Sequence, residues 1–210
     1  MQLFNKVAIK KTFAHTWYIY PLLGGIITVI WLWAFYAYHQ PSKHQMLTLF
    51  FSTKINSNKF ASEIQKHYER EELREVSVSG LLPEASGYYT KLQTAFSDSD
   101  LLILDETTIG EFTSVHNRVF YSISDDIKEE YFPNVSEYYT YSDEETTYAL
   151  GALLKRKGED HYLTKYMEFD ELRDYYVLIS VSSKNAGRIS GASNKEYDNA
   201  LTFMNYLLEL

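Results

Sequence analysis

Hydroxyl and carboxylate side chains gather where the short apolar runs of this chain end. Ser52-Thr53 close MLTLFFST, Ser79-Gly80 close VSVSG, Asp105-Glu106 follow LLIL, and Ser182-Ser183 end YYVLISVS. In an open parallel sheet, ligands bind beyond the carboxyl ends of the strands, so these eight residues are the positional candidates for a binding site. Of these, Asp105-Glu106 would serve a cation or sugar hydroxyls. Adjacent acids after a strand are more often a solvated turn or a helix cap. Other chemistries lack their residues. The six histidines, at 15, 39, 44, 67, 116 and 161, form no HxxxH or HExxH spacing. GxSxG, GxxxxGK[ST] and GxGxxG do not occur, and there is no cysteine. Glu129-Glu130 and Asp143-Glu144-Glu145 lie in polar stretches that read as exposed charge. The expectation is a protein that is not an enzyme and needs neither metal nor cofactor.

The elements that must position these residues alternate. Met46–Thr53 has the length and β-favouring residues of a buried strand. Residues 58–69 place Phe60, Ala61, Ile64 and Tyr68 on one helical face, with Asn58 or Ser57 as cap. VSVSG is a second strand, stopped by Gly80. A second helix carries Tyr88, Tyr89, Leu92, Ala95 and Phe96 and ends in the turn Ser97-Asp98-Ser99-Asp100. Leu101–Leu104, apolar throughout, suits a strand covered on both faces. Strand, helix, strand, helix, strand predicts a parallel sheet. Residues 107–172 are less legible, with a strand expected in TYALGALL. Tyr175–Ser182 is a further buried strand, and Ser183-Lys184-Asn185-Ala186-Gly187 is a turn. A closing helix is expected from the capping box Ser193-Asn194-Lys195-Glu196, with a stripe of Tyr197, Ala200, Leu201, Met204 and Leu208.

Ahead of this domain, Trp17 to Tyr38 holds no charged residue, and its length meets the ~20 apolar residues needed to cross a bilayer. Trp17, Tyr18 and Tyr20 at one end and Trp31, Trp33, Phe35, Tyr36 and Tyr38 at the other match an interfacial aromatic belt. Lys6, Lys10 and Lys11 precede the span and Lys43 follows it, which places the N-terminus in the cytoplasm. A cleaved signal peptide has a shorter apolar region and a small-x-small site, so an uncleaved anchor is expected. Charge divides the chain at the same place. Residues 1–62 carry six lysines and no acid, while the remainder holds all 28 acidic residues against 14 basic ones. Such a surface repels a phosphate backbone, and nucleic acid is not an expected partner.

The outer domain resembles one lobe of the extracellular solute-binding proteins of ABC transporters, carbohydrate-type group. The resemblance is carried by LTLFFST and its helix, by VSVSG followed by YYTKLQTAFSDSDLLIL, and by YYVLISVSSKN with the closing ALTFMNYLL. A second lobe to close on a ligand and a lipidated cysteine are both lacking. The resemblance implies an α/β fold with a mostly parallel sheet flanked by helices, a periplasmic-binding-protein-like single lobe, and the apolar run at 17–38 puts one transmembrane helix ahead of it. The expected organisation is a cytoplasmic segment 1–16, a span 17–38, a linker 39–45 and an extracytoplasmic domain 46–210. It implies a membrane-anchored accessory or regulatory component of an ABC-type transporter or related membrane complex. Its partners would be the lipid bilayer, a permease or other membrane protein, and a carbohydrate or other small solute. The alternative is a structural cell-envelope interaction protein that binds no small molecule.

Overall fold

A computed structural model describes residues 17–68, 73–143, 145–190 and 198–210. The expected cytoplasmic segment and the capping box at Ser193–Glu196, with Tyr197, lie outside the described residues. The chain divides into two units at Gln40/Pro41.

The first unit contains helix α1 (Ile19–His39), long and apolar enough to cross a membrane. None of its residues is buried. The Thr28 hydroxyl donates to the Gly24 carbonyl at 2.8 Å, and the Trp31 and Phe35 rings stack at 5.4 Å, both one turn apart along the helix.

The second unit is an α/β domain. Its strands are β1 (Met46–Phe51), β2 (Lys54–Ile55), β3 (Glu75–Gly80), β4 (Leu101–Asp105), β5 (Tyr138–Ser142), β6 (Thr147–Lys155), β7 (Met167–Glu168) and β8 (Tyr175–Ile179). Its helices are α2 (Ser57–His67), α3 (Tyr88–Asp98), α4 (Glu106–Phe112), α5 (Asp125–Tyr131) and α6 (Asn199–Leu208). The main sheet has the order β3-β1-β4-β8-β6-β5, and β2 and β7 form a separate antiparallel ribbon.

Parallel pairing is confined to one half. β1 pairs parallel with β3 and β4, as the alternating order predicts, but β4–β8, β8–β6 and β6–β5 are all antiparallel. The expectation of a mostly parallel sheet is therefore corrected. A continuous apolar run reports coverage on both faces and carries no information about strand direction.

Alternation along the strands builds two cores. Leu47, Leu49, Phe51, Leu101, Ile103, Val177 and Ile179 face α2, α5 and α6, and meet Phe60, Ile64, Ile127, Leu201, Phe203 and Met204. Phe50, Leu102, Leu104, Leu150 and Leu178 face the other way, onto Tyr88, Leu92, Ala95 and Phe96 of α3 and Ile109 of α4. α2 and α3 thus cover opposite faces, so the chain reverses direction across the sheet between β1 and β4.

Local chemistry adjusts several expected boundaries. α2 is capped by neither Ser57 nor Asn58 but by Asn56, whose Oδ1 accepts from the Lys59 N–H at 3.3 Å. Tyr89 is exposed while its neighbour Tyr88 is buried. In α6 Ala200, Leu201 and Met204 are buried as the spacing predicts, Phe203 and Leu207 join them, and Leu208 is only partly buried. Residues 42–45 are not free linker. Gln45 Oε1 accepts from the Ser42 N–H at 3.0 Å, and the His44 carbonyl accepts from Asn199 Nδ2 at 2.7 Å, so this turn is fastened to α6.

Gly151 of β6 shows how tightly β8 is held. A Cβ there would lie 2.8 Å from Leu178 Cγ and 2.8 Å from the Val177 carbonyl oxygen. Gly151→Ala is expected to destabilise the domain by about 1–3 kcal/mol, as overpacking does, read as a lower urea midpoint at unchanged slope.

Candidate functional site

The reversal between β1 and β4 makes their carboxyl ends a topological switch point, where open α/β sheets hold ligands. Ser52, Thr53, Gly80 and Asp105 converge there. The Ser52 N–H donates to the Ile103 carbonyl at 2.8 Å, and its Oγ accepts from the Asp105 N–H at 3.0 Å. The Thr53 hydroxyl donates to the Glu168 carbonyl, tying β1 to the β2/β7 ribbon. Gly80 is needed because a Cβ would sit 2.5 Å from the Thr53 carbonyl oxygen. Ser79 Oγ reaches the Leu49 carbonyl only at 3.5 Å, at the limit of a hydrogen bond. Beyond Thr53 a hollow of about 590 Å³ is bordered by Lys54, Asn56, Thr164, Tyr166 and Glu168.

Asp105 is fully buried. Its Oδ1 accepts from the N–H groups of Thr107 and Thr108, both at 3.1 Å, and its Oδ2 from the Thr108 hydroxyl at 2.7 Å. Arg173 Nη1 donates to Oδ1 at 3.1 Å. Asp105 is therefore the N-cap of α4 and the buried partner of an arginine, and of the two readings that the acidic pair allows, the helix cap is realised. Glu106 is the first residue of α4, and its N–H donates to the Asp174 carbonyl at 3.0 Å. Arg173 also meets Asp170 at 3.1 Å and Glu84 at 3.8 Å, so one cation links the end of β4 to the loops after β3 and β7.

Tyr88 completes the site from α3, its hydroxyl 3.4 Å from Thr108 Oγ1. Its phenol is pushed up to about 12, by burial first and also by the Asp105 carboxylate, against hydrogen bonding to Thr108 and Ser52. It stays a neutral hydroxyl at every ordinary pH.

Ser182 and Ser183 lie elsewhere. Because β8 runs antiparallel to β4, its carboxyl end falls at the opposite edge of the sheet. There Ser183 Oγ donates to Asp100 Oδ1 at 2.7 Å, Asn185 Nδ2 donates to the same oxygen at 3.1 Å, and Asp100 Oδ2 accepts from the Thr48 N–H at 2.9 Å. Exposed Ser182 lines a hollow of about 360 Å³ with Thr48, Asp98, Asp100 and Lys184. The eight candidates thus divide between two edges.

Sequence reasoning missed Tyr88, Thr108, Arg173 and Asp100 as site residues. Tyr88 read as core and Asp100 as a turn residue, which both also are. Arg173 stands in the run DELRD, where nothing distinguishes a solvated arginine from one paired to a buried acid. Fold and site together define an open mixed α/β domain with an internally neutralised switch-point crevice. No protein-family model, curated protein or solved structure matches the chain.

Asp105→Ala is expected to cost about 3–5 kcal/mol in urea unfolding, since it uncaps α4 and leaves Arg173 without its buried partner. Asp105→Asn, which keeps a capping oxygen, should cost less. Tyr88 gives a pH signature. With its folded pKa raised, its contribution is present below pH 10 and is lost as pH rises from 10 towards about 12, because only the unfolded chain releases the proton there. Tyr88→Phe should lose less stability than the parent across that window in alkaline unfolding titrations.

Proposed function

We propose that this protein is a single-pass membrane protein, N-terminus in the cytoplasm, whose α/β domain lies on the extracytoplasmic side as an accessory or regulatory component of an ABC-type transporter or related membrane complex. The observation that carries the reading is α1: a 21-residue, predominantly apolar helix without Asp, Glu, Lys or Arg, none of its residues buried, with tryptophan and tyrosine towards both ends. Lysines 6, 10 and 11 before the span support the orientation. The resemblance of the domain to a single solute-binding lobe draws support from its parallel half, where β1 lies between β3 and β4 with helices on both faces.

The crevice bears on how such a domain would act. Asp105 already accepts four hydrogen bonds from its own fold, so a solute at that point would have to compete with them. Contact with a neighbouring membrane protein makes no such demand. Only Gln40 and Pro41 separate the last residue of α1 from the turn fastened to α6, a tether suited to a fixed neighbour. The same saturation favours, as second reading, a cell-envelope interaction protein without a small-molecule ligand.

The chain should remain in the membrane after alkaline carbonate washing. Protease added to intact cells should remove a C-terminal tag and spare an N-terminal one. Purification in mild detergent should recover transporter subunits in fixed ratio. A carbonate-soluble chain or a protected C-terminal tag would sink the anchor reading; consistent recovery of envelope proteins without any transporter subunit would transfer the conclusion to the second.

A further inference from the structure

Lys155 ends β6 and is 4% exposed. Regular alternation would turn it away from the face that carries Ala152. The β6–β8 register slips instead: Leu153 lies opposite Tyr176 and Lys155 opposite Tyr175, so Leu154 is an extra residue. Such a bulge re-aims the side chain that follows it, and Lys155 comes onto the face of Tyr175 and Val177.

The buried ammonium has little to neutralise it there. Its Nζ donates to the Arg156 carbonyl at 3.2 Å and lies 5.7 Å from the centroid of the Phe169 ring. Among the described residues no carboxylate is within ion-pair distance of it. Neighbouring acids are committed elsewhere, Glu159 to Arg156 at 3.8 Å and Glu168 to Lys54 at 2.9 Å. His161, whose Nδ1 accepts from the Leu163 N–H at 3.2 Å, is held below the usual histidine value by burial and by the Lys155 charge, and supplies no anion. A buried charge left in this state is costly unless something completes its surroundings.

What adjoins it is a hollow of about 450 Å³, lined by Lys155, Phe169 and Thr164 and by four exposed acids, Glu159, Asp160, Glu168 and Glu171. Neither Asp160 nor Glu171 forms an ion pair among the described residues. The charges are thus arranged as one buried cation and four exposed acids beside a half-buried ring, and of the acids Glu159 and Glu168 already have a cation each, which leaves Asp160 and Glu171. A simple anion would satisfy Lys155 but be repelled by the acids, and a simple amine would satisfy the acids but leave Lys155 unneutralised. A molecule with both charges satisfies both.

We propose that this hollow binds a small zwitterion of the α-amino-acid type, its carboxylate on Lys155, its ammonium between Asp160 and Glu171, and its apolar part against Phe169. The inference goes beyond the anchored accessory reading and does not depend on it, because binding is read on the purified chain whatever its partner.

The test is thermal shift and calorimetry on the full chain in detergent, with each of the common α-amino acids at roughly 10 mM. At least one should raise the melting temperature in a saturable way. Its desamino carboxylate and its decarboxylated amine should each bind at least about tenfold more weakly. Lys155→Met should abolish the shift, and Asp160→Asn with Glu171→Gln, both at exposed positions, should weaken binding at least about tenfold even if Lys155→Met does not fold. Absence of any shift, an undiminished affinity in the double variant, or equal binding of the carboxylate alone would overturn the proposal.

Discussion

The domain is organised around β4, a strand buried along its whole length with an aspartate at each end. Asp100 gathers the Thr48 N–H, the Ser183 hydroxyl and the Asn185 amide at one edge of the sheet. Asp105 gathers two α4 N–H groups, the Thr108 hydroxyl and Arg173 at the other. Between them Leu101 to Leu104 present alternate side chains to the two cores. A strand that pairs parallel with β1 and antiparallel with β8 joins two unlike halves, and the carboxylates fix its register at both ends. Charge-assisted hydrogen bonds in a dry environment are strong enough to do this, and unmade they are expensive.

That arrangement also limits what the switch-point crevice can do. Position alone makes Asp105 the natural ligand-binding residue, yet its oxygens are occupied by the fold. The acid at the strand end is structural, and Arg173 answers it with two further acids on the loops around it. Lys155 is the opposite case. There a bulge turns a cation into a buried position, and among the described residues no carboxylate pairs with it. Neutralised and unneutralised buried charges are thus found at the same edge of one sheet, since β6 and β4 both run antiparallel to β8.

Much of the first half of the domain was legible because its elements repeat the same local logic. MLTLFF, VSVSG and LLIL are short runs bounded by turn residues, and the helices between them carry one clear apolar face. The second half was not. β5 and β6 are joined by a polar turn and rich in tyrosine, a residue that packs and hydrogen-bonds equally well, so periodicity has little contrast there. The strand expected in TYALGALL exists and runs from Thr147 to Lys155. Its bulge, which is what aims Lys155, depends on the partner strand and leaves no mark in the local pattern.

The sequence by itself determined the apolar helix, its aromatic ends, the division of charge along the chain and the alternation that makes the domain α/β. These follow from composition and short-range period, which are local properties. Only the tertiary structure decided that β8 runs antiparallel to β4. That one fact carries Ser182 and Ser183 away from Ser52, Thr53 and Asp105 and divides the expected site between two edges. It likewise decided that Asp105 is paired with Arg173 while Lys155 meets no carboxylate among the described residues. Strand direction and charge pairing are set by residues far apart in the chain, Asp105 with Arg173 and Asp100 with Ser183, and no window of neighbouring residues contains both members of such a pair.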